Sequence, residues 1–206
     1  MKTIIISGPS GSGKTLLSHK LLELFDDTIV LKTDSYYRDN ILIKLLSIFV
    51  VDIYDRQISI KKKDIHKTLS SIYNKEKIIS FSGYDFEKKK SSQSKIRINY
   101  TGKKQLLIVE GIFSHRLDLD YKKTINIVCD DKKEICFKRR LNRDQLERGR
   151  NRREVYMKFK KSWHLFYKNI LNYLNSNKVI KVNPLKLISY NKLVFILKKQ
   201  KNNKEE

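Results

Sequence analysis

Residues 8–15, Gly8-Pro9-Ser10-Gly11-Ser12-Gly13-Lys14-Thr15, have the spacing G-x-x-x-x-G-K-[ST]. An apolar run, Thr3-Ile4-Ile5-Ile6, precedes them, and Leu16–Phe25 reads as a helix. Strand, glycine-rich loop and helix in that order make a phosphate-binding P-loop. The glycines let the backbone curl so that successive N–H groups face a polyphosphate. The helix N-terminus adds its dipole. In such a loop Lys14 reaches the β- and γ-phosphates, and the Thr15 hydroxyl reaches Mg²⁺. Gly8, Pro9, Ser10, Gly11, Ser12, Gly13, Lys14 and Thr15 are therefore the expected ATP-binding residues.

Later strands supply acids in the right places. Thr28-Ile29-Val30-Leu31 reads as a buried strand and runs into Thr33-Asp34-Ser35-Tyr36-Tyr37-Arg38. In a doubly wound sheet, ligands sit at the carboxyl ends of the strands. Asp34 at such an end can serve as general base for a substrate hydroxyl, although a turn or N-cap aspartate satisfies the same local pattern. Leu106-Leu107-Ile108-Val109 is the clearest parallel strand, and Glu110 follows it. An acid there occupies the position that helps hold Mg²⁺ in P-loop enzymes.

The remaining chain alternates helix and strand. Residues 41–50 are apolar and fit either. Residues 63–74 read as a helix with Ile65, Leu69 and Ile72 on one face. Lys77–Phe81 and Lys95–Tyr100 read as the arms of a hairpin, with Ser82–Ser92 as a basic tip. Thr124–Val128 and Lys178–Val182 are further strands, Glu154–Leu174 is an aromatic-rich helix, and 185–198 is a closing helix. The pattern predicts an α/β fold: a P-loop NTPase-type parallel sheet with helices on both faces, a small β-hairpin, and an arginine-rich helical lid. One domain spans 1–206, with the hairpin at about 77–101, the lid at about 138–152 and a frayed basic tail at about 199–206.

The lid stretch is Lys138-Arg139-Arg140-Leu141-Asn142-Arg143-Asp144-Gln145-Leu146-Glu147-Arg148-Gly149-Arg150. On a helix, Arg140 pairs with Asp144 and Arg143 with Glu147 at i, i+4. Gly149 then ends or bends the helix. Arginines closing on transferring phosphates suit the P-loop better than a merely solvated face.

Charge and composition bound the alternatives. Lys and Arg number 45 against 22 Asp and Glu, a net charge of +23. The lysines are scattered, with short runs at 61–63 and 88–90, so the charge defines no nucleic-acid site. No stretch nears the roughly 18 apolar residues of a membrane span. The N-terminus enters a strand directly, so it is read as part of the fold. Cys129 and Cys136 are read as ordinary buried thiols of a cytoplasmic protein. His19, His66, His115 and His164 have no partner at metal or triad spacing.

Taken in order, these motifs resemble the uridine kinase family of P-loop kinases. Gly8–Thr15 resembles its P-loop, Asp34-Ser35-Tyr36-Tyr37 its D-S-[FY]-Y motif, and Tyr54-Asp55-Arg56 the acidic segment of its nucleoside site. Tyr84-Asp85-Phe86 resembles its hairpin Y-D-F, Glu110-Gly111-Ile112 its E-G-I, and Arg140–Arg150 its R-x-x-R-D-x-x-E-R-G-R lid. The resemblance implies ATP-dependent, Mg²⁺-assisted phosphorylation of a nucleoside 5′-hydroxyl by a homo-oligomer. It implies Asp34 as general base, and Thr15, Glu110 and Asp34 around the metal. It further implies catalytic charge from Lys14, Arg140 and Arg143, ATP contact by Arg148, and substrate contact by Asp55, Tyr84, Arg140 and Arg150. The family's base-reading His and Arg fall on Lys89 and Ser91, and its Gln-Tyr after the lid on Lys158-Phe159. Those departures leave the acceptor open between uridine or cytidine and the substrates of nicotinamide riboside kinase, phosphoribulokinase or guanylate kinase. A basic nucleic-acid-binding protein or polynucleotide 5′-kinase is the reading from the charge alone. Asp55→Ala is expected to raise the nucleoside KM much more than the ATP KM in steady-state assays; equal effects would remove Asp55 from the ribose.

Overall fold

The computed structural model describes residues 1–25, 27–40, 42, 43, 45, 49, 50, 53, 56–85, 88, 90–102, 105–120, 124–176 and 178–202. Five strands, β1 (Lys2–Ser7), β2 (Ile29–Lys32), β5 (Leu106–Glu110), β6 (Thr124–Cys129) and β7 (Val179–Val182), form one parallel sheet in the order β2-β5-β1-β6-β7. Strand β1 lies at the centre. From it the chain moves outward to β2, returns through β5, and crosses β1 to reach β6. The site therefore opens where the strand order reverses.

Period-two alternation sends these strands into two cores. Ile4, Ile6, Leu106, Ile108 and Ile127 pack against Leu17 and Leu21 of α1 (Lys14–Leu24) and Leu193 and Leu197 of α5 (Leu187–Asn202). On the opposite face Leu31, Leu107, Val109 and Val128 meet Ile65, Leu69 and Ile72 of α2 (Lys62–Tyr73). Phe166, Ile170 and Tyr173 of α4 (Arg152–Ser176) complete that side. Burial on both faces explains why these strands read as continuous apolar runs.

The hairpin differs from expectation. Its arms are β3 (Ile78–Asp85) and β4 (Lys90–Arg97), so most of Ser82–Ser92 is paired strand and the turn is shorter. Residues 86, 87 and 89 lie outside the described residues. The alternation at Ile96, Ile98 and Tyr100 misplaced β4, whose side chains are mostly exposed. Polar contacts of Ser91, described below, anchor β4 instead. Ile98 and Tyr100 lie beyond the strand and pack on the core beside α2.

Three further expectations meet their outcome here. Leu42, Ile43, Leu45 and Phe49 have helical backbone, which settles the ambiguous 41–50 run where it is described. The tail expected to fray from 199 is helical as far as Asn202, where α5 ends, and residues 203–206 lie outside the described residues. The stretch expected to form the lid is the C-terminal part of α3 (Lys133–Arg148), joined to α4 through Gly149 at φ 58°. No helix among the described residues is long and apolar enough to cross a membrane.

Leu107 has no exposed surface and carries the wall between β5 and α2. Leu107→Ala is expected to lower unfolding stability by about 2–5 kcal/mol, read as a lower urea midpoint at unchanged slope.

Candidate active site

The loop after β1 is shaped by what packs behind it. Gly11 takes φ +84°, and a Cβ there would sit 2.1 Å from the carbonyl oxygen of Cys136 in the first turn of α3. Only glycine accepts both conditions. Arg139 then donates to the Gly11 carbonyl at 3.2 Å and pairs with Asp131 at 2.8 Å. Arg143 donates to Ser10 Oγ at 3.3 Å. Lys14 is 7% exposed, and its ammonium donates to the Pro9 carbonyl at 3.1 Å across the loop. Pro184, just past β7, packs on Gly13, and its carbonyl accepts from Lys20 at 2.9 Å.

Beside the loop the acids converge. Parallel register pairs Ile6 with Glu110 and Lys32 with Glu110, so the ends of β1, β2 and β5 are level. Thr15 Oγ1 donates to Glu110 Oε1 at 2.7 Å. Asp34 stands in the 3-10 turn Thr33–Tyr36 that follows β2. Burial raises its carboxyl above the usual value of 3.8; Lys14 opposes the shift, Glu110 adds to it, and the Ile112 backbone hydrogen bond and Arg143 oppose it.

Four buried polar atoms around this point have no hydrogen-bond partner among the described residues: Ser12 Oγ, Thr33 Oγ1, Asp34 Oδ1 and Glu110 Oε2. Such atoms are costly unless something fills the site. Two carboxylates beside a threonine hydroxyl form an all-oxygen set of the kind Mg²⁺ takes together with substrate phosphates. No group of three or more His, Cys, Asp or Glu that could hold a metal occurs among the described residues. The donor set suits a shared ion better than a dedicated metal cage.

The arginines of α3 gather on one carboxylate. Asp144 is 0% exposed. Its Oδ1 accepts from Arg143 Nη2 at 2.8 Å and Nε at 3.0 Å, and its Oδ2 accepts from Arg150 Nη1 at 3.0 Å. Arg148 lies at 3.4 Å and Arg140 at 3.6 Å. Burial pushes the Asp144 carboxyl up, but Arg143, Arg148 and Arg140 outweigh it and hold it below the ordinary range. Burial, then the neighbouring Arg143, lowers the Arg148 guanidinium. The pair expected between Arg143 and Glu147 gives way to Arg143–Asp144, while Arg140–Asp144 forms as the spacing predicted. Arg140 is nearly buried and donates to Ser162 Oγ of α4 at 2.7 Å.

On the acceptor side, Tyr84 of β3 packs edge-on against Tyr37, with ring centroids 5.6 Å apart. The segment after Asp34 is clasped to the hairpin. Ser91 N–H donates to Asp39 at 2.9 Å, and Ser91 Oγ donates to the Tyr37 carbonyl at 3.1 Å. Lys61 donates to both Asp39 and Ser91. The Ser91 N–H, with Lys61 adding to it, lowers the Asp39 carboxyl to about 2. Asp55 and Lys89 lie outside the described residues. Lys158 is paired with Glu154.

Residues 3–189 match the model of the "Phosphoribulokinase / Uridine kinase family". The chain belongs to this family. It is similar to a protein named uridine kinase from Borrelia duttonii, 30% identical over 161 residues, covering 75% of this chain and 73% of that one. A uridine kinase from Lactobacillus helveticus is 29% identical over 150 residues, covering 71% of this chain and 69% of that one. Among solved structures, the YGR205w protein superposes with a TM-score of 0.57 at 14% identity, covering 89% of this chain and 86% of that one. The fold is thus that of P-loop kinases.

The structure brings Lys14, Thr15, Asp34, Glu110 and Arg143 together and sets Arg148 and Arg150 beside Arg143. Sequence reasoning gave no site role to Arg139, which braces the loop, quoted Asp144 only as the helical partner of Arg140, and took Ser91 only as a departure from the family, whereas Asp144 collects the arginines and Ser91 docks the hairpin. Gly111 was quoted only within a motif. A Cβ there would fall 1.8 Å from Thr33 Oγ1 and 3.1 Å from Asp34 Oδ1. Thr33 is fully buried and cannot yield easily. Gly111→Ala is therefore expected to displace Asp34 and cut turnover by about 10²-fold or more, with helical content by circular dichroism unchanged.

Proposed function

We propose that this protein transfers the γ-phosphoryl group of ATP to the 5′-hydroxyl of a nucleoside, uridine or cytidine, with Asp34 as general base. The observation that carries the reading is the meeting of Asp34, Glu110, Thr15 and Lys14 at level strand ends beside the phosphate loop. The names of the uridine kinases to which the chain is similar support the acceptor class. The nucleoside hydroxyl gives its proton to the Asp34 carboxylate while its oxygen bonds to the γ-phosphorus. The bond from that phosphorus to the β–γ bridging oxygen breaks and ADP leaves. The transition state is loose, so placement and charge neutralisation carry most of the rate. Lys14 and the P-loop N–H groups hold the donor phosphates, and Arg143 stands at the loop mouth. Thr15, Glu110 and Asp34 would hold Mg²⁺, which would supply positive charge to neutralise the donor phosphates.

Arg148 contacts ATP and Arg150 the acceptor, whereas the buried Arg140 supports them from behind. Asp55 and Tyr84 bind the nucleoside, whose ribose and base lie under the hairpin. The protein works in the cytoplasm as a homo-oligomer on free nucleoside and not on nucleic acid. One set of observations favours a second acceptor. Ser91 is committed to Asp39 and Tyr37, and Lys158 to Glu154, at positions where the family reads a pyrimidine. Another hydroxyl compound, such as nicotinamide riboside or a sugar phosphate, fits that arrangement. A panel of nucleosides and these compounds, assayed for ADP release with ATP and Mg²⁺, decides between them. Turnover of uridine or cytidine is expected, and turnover of none of the nucleosides would overturn the reading.

Asp34→Asn is expected to lower kcat by at least about 10²-fold while ATP binding by calorimetry survives. The sign of the pH effect follows from burial. A base whose folded pKa is raised is protonated, and lost, as pH falls through that raised value. The acid limb of kcat/KM is therefore expected above 3.8, the usual aspartate value, and should vanish in the Asn variant.

A further inference from the structure

Three segments of the acceptor side meet at one ammonium. Lys61 Nζ donates to Asp39 Oδ1 at 3.0 Å and to Ser91 Oγ at 3.1 Å. Asp39 follows the turn that carries Asp34. Ser91 lies directly across the hairpin from Tyr84. Lys61 itself stands after the stretch of sequence that contains Asp55. Its backbone is tied to the segment after Asp34. Tyr37 bridges Ile60, the Arg38 N–H donates to the Ser59 carbonyl at 2.6 Å, and the Lys61 N–H donates to the Tyr36 carbonyl at 2.8 Å. From that fixed base the Lys61 side chain reaches across to the hairpin.

The two arms of the hairpin are held unequally. Strand β3 is linked inward through α2, where the Thr68 hydroxyl accepts from Tyr36 at 3.0 Å and lies 3.2 Å from the Ser80 carbonyl. Strand β4 is exposed along most of its length, and Ser91 reaches the body through Asp39, Tyr37 and Lys61. The side chains of Lys61 and Asp39 keep 26% and 30% of their surface exposed. An ion pair so open to water adds little to global stability. Its effect is local, on where β4 stands. Asp34 does not depend on it, because Thr33 beside it is fully buried and the Ile112 backbone bonds to its carboxyl.

We infer that Lys61 is a positioning residue for the acceptor: its ammonium, shared between Asp39 and Ser91, holds β4, and with it Tyr84, against the segment after Asp34 before any acceptor binds. The inference rests on the reading of this side as the acceptor site, and it gives Lys61 no contact with the reacting atoms. A wall already in place spares the acceptor the cost of ordering the hairpin on binding. Loss of the ammonium therefore weakens acceptor binding and leaves the saturated rate to Asp34.

Two variants test this. Lys61→Met keeps the stem and removes the charge, whereas Lys61→Arg keeps the charge. In the free protein, amide hydrogen exchange over residues 90–97, read by mass spectrometry, is expected to quicken about 10-fold or more in the Met variant. Exchange in α1 should match wild type, and the Arg variant should stay within about threefold of wild type throughout. Unchanged exchange of β4 in the Met variant, equal quickening in α1, or an Arg variant that behaves like Met would each overturn the inference. With uridine as acceptor, Lys61→Met is expected to raise the uridine KM about 10-fold, with kcat and the ATP KM within about threefold. A fall in kcat at unchanged uridine KM, or an equal rise in the ATP KM, would also overturn it. The exchange measurement needs neither ATP nor acceptor. A wild-type protein that phosphorylates no nucleoside would refute the kinase reading, and the exchange of β4 would still decide the role of Lys61.

Discussion

The parallel pairing of β1 with β5 is the interaction on which the site depends. It places Ile6 opposite Glu110, and the Gly111 N–H then donates to the Ile6 carbonyl at 3.1 Å. Thr15, at the start of the helix that leaves the phosphate loop, thereby meets the acid that ends β5. Strand β2 pairs with β5 in step, and Thr33 and Asp34 land over Gly111. Slipping either pairing by one residue would turn these acids to the other face of the sheet. The apolar cores on both faces forbid that slip, so the packing of isoleucines and leucines is what holds the carboxylates in register.

Charge is handled differently in the two halves of the site. Around Asp34 two acids lie close to Lys14, and one oxygen of each, Asp34 Oδ1 and Glu110 Oε2, is buried with no hydrogen-bond partner among the described residues. Around Asp144 one carboxylate meets the guanidiniums of Arg140, Arg143, Arg148 and Arg150. The hydrogen bond from Arg143 to Ser10 ties the arginine cluster to the phosphate loop.

The donor half was legible in the sequence because its signals are local or sit at strand ends. Glycines, Lys14 and Thr15 occur within eight residues, and Asp34 and Glu110 each close an apolar run. The arrangement around Asp144 was only half visible. Helical spacing pairs Arg140 with Asp144, but the approach of Arg150 depends on the left-handed turn at Gly149. The Ser91 contacts were hidden for another reason. They join Asp39 and Tyr37 to a residue 52 and 54 positions away, in a strand whose polar composition gives no alternation to read. Burial of Arg140 is also a tertiary outcome, set by Ser162 on the following helix.

The two sides of the site are made of different material. The donor loop is gripped at main-chain atoms, with Gly11 against the Cys136 carbonyl and the side chains of Arg139 and Lys20 on the Gly11 and Pro184 carbonyls. The hairpin is fastened by side chains, chiefly Asp39, Lys61 and Ser91. Main-chain contacts tolerate little change, whereas a side-chain clasp can be rewritten by a few substitutions without disturbing the sheet. The architecture therefore leaves acceptor choice free to diverge over evolutionary time while the means of handling ATP stays fixed.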